Sequence, residues 1–237
     1  MKEVTFSKSG TEVPADDILK MEVRRARQMM ALLARKLGPE KMADLFAEEI
    51  RENEEREQVW RDRSGDGFRE SVAFAHVSEG SSAEFIEWFL AGYTGGNAPG
   101  MQRAHPEHLG AMPLPDGRIG ILETPGHSET PALGHLTPLQ DWSGIPIPLD
   151  PEMPHRIMGR GESTDGEATL YLLHQFRDTS PGFDARLAIY WRDGTPESMV
   201  RGHIDHLIVE FHNWFGMYLQ TRRQPTDLMP VALSIHT

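Results

Sequence analysis

Three ionisable side chains interrupt an apolar helical stripe near the end of this sequence. In MVRGHIDHLIVEFHNWFGMYL, at 199–219, His203, His206 and Glu210 fall in one narrow arc at about 100° per residue. Met199, Leu207, Trp214 and Met217 share that arc. Burying three such groups without partners is costly, so something must satisfy them. His206 and Glu210 stand one turn apart, the spacing at which two helical side chains can share a metal ion. The chain has no cysteine, so any metal must be held by His, Asp and Glu. That donor set suits zinc with an open position for water. The alternative is a core histidine hydrogen-bonded to a carboxylate, since an HxxxE pair alone is common. His212 lies on the opposite face.

Two further clusters could complete a site. QRAHPEHLGAM at 102–112 carries His105 and His108 around a Pro-Glu turn. ILETPGHSETPALGH at 121–135 offers Glu123, His127, Glu129 and His135. Other chemistry-bearing patterns are missing: the sequence has no P-loop, no GxGxxG and no GxSxG nucleophile elbow. Trp60, Trp88, Trp142, Trp191 and Trp214 are dispersed, which fits core and pocket lining better than a stacking platform for nucleic acid.

The elements that must position these residues read as α+β. The final helix spans Pro196 to about Arg222. Residues 167–177 and 183–192 form an antiparallel pair; Ala168, Leu170, Leu172, His174 and Phe176 share one face, and Phe183, Ala185, Leu187, Ile189 and Trp191 the other strand's face. FRESVAFAHV at 68–77 alternates, with Phe68, Val72, Phe74 and His76 on one side. EFIEWFLAGY at 84–93 is a short helix capped by Ser81 or Ser82. Between about Thr94 and Pro154 runs an irregular Gly-, Pro- and His-rich stretch, hiding short strands such as RIGILE at 118–123.

The first 63 residues differ in kind. Ala15 to Arg63 holds 12 acidic and 11 basic residues, a density not seen later. Ile18, Met21, Ala26, Met29, Met30, Leu33 and Leu37 recur at helical spacing until Gly38-Pro39 opens a second helix. ENEEREQVWRDRSG reads as its solvated end. The expected organisation is an N-terminal helical hairpin over 1–63, packed on the body or on a second subunit, and a main domain over 64–237. With 237 residues and 38 % apolar content the chain is long enough for a sizeable core. A net charge of -12 argues against nucleic acid, and no stretch approaches the ~20 apolar residues of a membrane span. MKEVTFSKSG has no apolar signal core, so a cytoplasmic location is expected.

The order of the clusters carries a resemblance. EFIEWF, then HPEHLGA, then LLHQFRDTSPGFDARLAIYW, then HIDHLIVEFHNW resembles the 2,4-diacetylphloroglucinol hydrolase family, which includes phloretin hydrolases, over roughly residues 84–220. The resemblance implies a helix-grip fold similar to Bet v 1 and START domains, a curved antiparallel sheet around a long C-terminal helix. It also implies zinc held by two His and two Glu. By position these are His108, His206, Glu210 and Glu123, with Glu129 as the alternative to Glu123. Family members use tyrosines near the turn to hold substrate, and GNAPGMQRAHPEH has none, so the pocket departs from the family there.

The expected activity is therefore zinc-dependent hydrolysis of a C–C bond in a small acyl-aromatic or β-dicarbonyl-like ketone. The expelled carbon needs a proton, which His203, His174 or His76 could supply. Trp88, Trp191 and Trp214 would line the substrate pocket. Two other classes have clear signatures. A metal-free module binding an apolar small molecule would show an apolar cavity without convergent carboxylates. A protein that works by dimerising would show an exposed apolar seam on residues 18–50 and a filled interior.

Overall fold

The computed structural model describes residues 5–94, 98–126 and 128–223. Two short strands, β1 (Phe6–Lys8) and β2 (Thr11–Val13), form a hairpin ahead of two helices, α1 (Ala15–Leu45) and α2 (Ala47–Asp62). The main body runs β3 (Phe68–Val77), α3 (Ser82–Thr94), α4 (Ala98–Met101), β4 (His108–Pro113), β5 (Ile119–Glu123), β6 (Ala132–Pro138), β7 (His155–Glu162), β8 (Ala168–Asp178), β9 (Phe183–Arg192) and α5 (Glu197–Arg223). A single 3-10 turn, Gln102–Ala104, joins α4 to β4. The class is α+β. Seven antiparallel strands form one sheet in the order β3-β9-β8-β7-β6-β5-β4, and α5 lies on one face of it.

The core explains that placement. The buried face of α5 (Met199, Val200, Leu207, Phe211, Trp214, Phe215) packs with Phe176 of β8 and with Phe183, Ala185, Leu187, Ile189 and Trp191 of β9. The β8 and β9 faces are those the alternation predicts. Phe85 of α3 is fully buried against Phe176, Phe183 and Phe215. Aromatic rings therefore fill the space between helix and sheet, each removing a large apolar area from water. The opposite face of the sheet is covered by the 139–153 segment, whose Trp142 and Ile147 pack on Leu173, Ala188 and Tyr190.

β3 corrects the expected register. Ser71, Ala73 and Val77 face the core, while Phe74 is 71 % exposed and His76 is exposed too. The reason is proximity: α5 runs so close to β3 that the Ser71 hydroxyl donates to the Val200 carbonyl at 2.5 Å. Only small side chains fit beneath it, so the larger ones of this strand turn outward. His76 pairs at the surface with Asp184, 2.8 Å away. It is not an interior proton donor.

The N-terminal helices pack on the body. α1 breaks at Gly38, whose φ of 75° is open to glycine and costly for other residues. From Pro39 onward the chain hugs the sheet: Met42 and Ile50 are buried against Leu109 and Leu122. The stretch 52–65 is mostly exposed, as expected, but is anchored at a few points. Asn53 is buried and Trp60 packs against the main core. Arg61 donates to Ser163 at 2.6 Å and pairs with Asp165 at 3.0 Å. Among the described residues, no helix is long and apolar enough to cross a membrane.

Candidate metal centre

The donors come from three elements. The pairing of β4 with β5 places His108 directly opposite Glu123, so the two side chains share one face. Their neighbours Leu109 and Leu122 point the other way, into the cluster under α1 and α2. From above, α5 supplies His206 and Glu210. Gly126 lets the chain beyond Glu123 reach that helix. A Cβ there would sit 2.6 Å from the Met199 carbonyl oxygen and 2.8 Å from the His203 backbone nitrogen, at a φ of 46°. Two side chains of α5 tie down the turn before β4. Asn213 donates to the Ala104 carbonyl at 2.8 Å, and the Trp214 indole donates to the Met101 carbonyl at 3.0 Å.

The result is a compact cage. Nε2 of His108 lies 3.2 Å from Nε2 of His206, 3.5 Å from Oε2 of Glu123 and 3.4 Å from Oε2 of Glu210. Nε2 of His206 lies 3.9 Å from each of the same carboxylate oxygens. Four ligands at zinc-like bond lengths of about 2.0–2.1 Å in a tetrahedron would stand roughly 3.3–3.4 Å apart. The donor chemistry and spacing fit a small divalent cation. The four residues marked as metal ligands in the sequence are thus brought together; Glu129 is exposed and outside the cage, and His127 lies outside the described residues.

A surrounding layer orients the cage. Nδ1 of His206 is 3.3 Å from Oε2 of Glu107. A proton on Nδ1, held by that carboxylate, leaves the Nε2 lone pair free for the cage. Glu107 escaped the sequence reading because the HPEH turn has no periodicity to show where it points. The His206 ring is also sandwiched, stacked on His105 at 4.0 Å and on His203 at 4.9 Å between ring centres. Trp214 stacks near His108 at 5.9 Å. Trp191 meets His203 edge-on at 5.0 Å. Trp88 packs instead on Phe85 and Tyr218, within the aromatic core and away from the cage.

The charges around the cage set the protonation of its histidines. Burial would depress His206, but its bond to Glu107 and the charges of Glu123 and Glu210 outweigh it, raising its pKa to about 9. The converging carboxylates favour positive charge at this point. Burial and the neighbouring histidines hold His203 well below the usual imidazole range, and burial alone takes His174 down to about 3. Both are neutral near pH 7. Nδ1 of His174 accepts the Ala188 amide at 3.2 Å. Nδ1 of His203 is buried without a hydrogen-bond partner. Tyr93, half-buried near Trp214, has its pKa pushed well up by burial and by Glu210 and Glu123, which marks its phenol as facing the same charges. Sequence reading missed it because it sits at the end of a helix read only as core.

Comparison with protein-family models and with curated protein sequences returned no match.

Proposed function

We propose that the chain is a zinc-dependent hydrolase of helix-grip architecture, with His108, Glu123, His206 and Glu210 as ligands. The observation that carries this reading is that the His108 and His206 Nε2 atoms lie 3.2 Å apart, each with a carboxylate oxygen of Glu123 and of Glu210 within 3.4–3.9 Å. It also counts against the metal-free binding module, whose cavity would lack convergent carboxylates. Zinc bound there would lower the pKa of a water molecule and polarise a carbonyl.

The substrate class, a small acyl-aromatic or β-dicarbonyl-like ketone, rests on the family resemblance. Hydrolysis forms a C–O bond to the acyl carbon and breaks its C–C bond, and the released carbon takes up a proton. His203 suits the transfer of that proton. It stands beside His206 with a buried Nδ1 that has no hydrogen-bond partner, which places it to relay a proton toward the leaving carbon. That role replaces the simple donor expected from sequence. Trp191 and Trp214 flank this region and would keep bulk water from the leaving carbanion.

The test is product analysis on a panel of acylphloroglucinols and β-diketones, with chelated and zinc-loaded protein. Zinc-dependent release of a carboxylic acid from one member supports the reading. A stoichiometrically zinc-loaded protein inert on the whole panel removes the C–C hydrolase assignment.

A further inference from the structure

The face of the sheet turned away from α5 carries a groove that the metal centre does not use. It lies between the 139–149 segment and β7, opens to solvent, and has a volume of about 320 Å³. Small-molecule sites run from roughly 300 to 1,000 Å³. Trp142, Leu149 and Met158 form its apolar part, and Asp141 and Arg156 carry its charges. The wall is already fixed. The Leu139 amide donates to the Met158 carbonyl at 3.0 Å, and the Trp142 indole donates to the Ile147 carbonyl at 2.8 Å. The buried Gln175 side chain donates to the Asp150 and Met153 carbonyls at 3.0 Å each and accepts the Asp150 N–H at 3.1 Å. A ligand would meet a formed surface and would not have to order it.

Charge singles out Arg156. On β7 it shares a face with Met158 and Arg160 by alternation. The neighbouring guanidinium groups on this side of the sheet are paired: Arg160 with Glu162, Arg177 with Asp184 and Arg186 with Glu70. Arg156 is exposed and, among the described residues, has no hydrogen-bond or ion-pair partner. Asp141 is engaged, since its carboxylate accepts the Ser143 amide at 3.0 Å and the Ser143 hydroxyl. The groove thus sets an apolar floor beside one uncommitted cation whose planar fork of donors matches a carboxylate. We propose that it binds an amphipathic organic carboxylate, the apolar part on Leu149, Met158 and Trp142 and the carboxylate on Arg156. This site is separate from the metal centre, on the other face of the sheet.

Isothermal titration of the full chain with 2-naphthoate and its neutral analogue 2-naphthamide tests this, on the chain as purified and again after chelation. Naphthoate should bind one site per chain with a submillimolar Kd, the same before and after chelation, and naphthamide about tenfold more weakly. Arg156→Gln should weaken naphthoate about tenfold, leave naphthamide unchanged and leave the thermal transition at the wild-type value, because the side chain is exposed. Leu149→Gln should weaken both ligands. Naphthoate that binds only when metal is present sits on the cage and overturns the proposal. So does an absence of binding at millimolar ligand, or an affinity indifferent to Arg156→Gln. A wild-type dimer that Leu149→Gln dissociates would give the groove to a second copy and overturn it as well.

Discussion

The Glu107 carboxylate lies 3.3 Å from Nδ1 of His206, on the side of the ring turned away from the cage. That contact selects the tautomer whose Nε2 can bind a cation. Glu107→Gln keeps an acceptor in place but removes the charge. The expected result is a 10- to 100-fold loss of zinc affinity, the usual size of such outer contacts, with the fold intact. Competition against a chromophoric chelator measures it, and unchanged affinity would make Glu107 incidental.

On α5 the roles of neighbours separate. Glu210→Gln should weaken zinc strongly, because it removes a charged donor 3.4 Å from His108 Nε2. His203→Asn should retain zinc and slow turnover by roughly 10²-fold or more, the range for a lost proton-transfer group. Metal content of both variants, measured side by side, decides this. Loss of metal from the His203 variant together with retention in the Glu210 variant would reverse the roles.

The helix and the β8–β9 pair were legible because their periods survive in the sequence. One face of α5 buries His203, His206 and Glu210 among apolar residues, and one face of each strand buries its alternating set. Strands β4, β6 and β7 are interrupted by Gly, Pro and His and offer no such period. β3 misled for a physical reason: a closely packed helix selects Ser71 and Ala73 inward, so size, not polarity, decides its facing. Within the mostly exposed 52–65 stretch the anchors were not legible, because Arg61 docks through polar contacts to Ser163 and Asp165, which hydropathy does not register. Glu107 and Tyr93 belong to a turn and a helix end, where only the folded chain shows direction.

His76 supplies a control. It is exposed and paired with Asp184, which Arg177 also holds at 2.8 Å. His76→Ala should leave zinc content and turnover unchanged and cost no more than about 1 kcal/mol, as for surface ion pairs. A large loss of activity would mean that β3 contributes to the site.

Glu57 on α2 provides a pH signature. Burial, reinforced by Glu54 and opposed by Arg61 and Arg56, raises its carboxyl from 4.5 to about 7. The folded chain therefore holds this proton more tightly than the unfolded chain. The penalty is absent below pH 4.5, grows between 4.5 and 7, and is complete above. Glu57→Gln should stabilise the protein at pH 8 by about 1–2 kcal/mol and leave it unchanged at pH 4. Denaturant midpoints at the two pH values check this, and an equal shift at both would contradict it.

The most direct test of the metal centre is elemental analysis of the wild-type chain, purified without chelator, then stripped and reloaded. The account predicts one zinc per chain as purified or on reloading, with His206→Ala unable to hold it. A correctly folded chain that carries no metal and takes up none would contradict it.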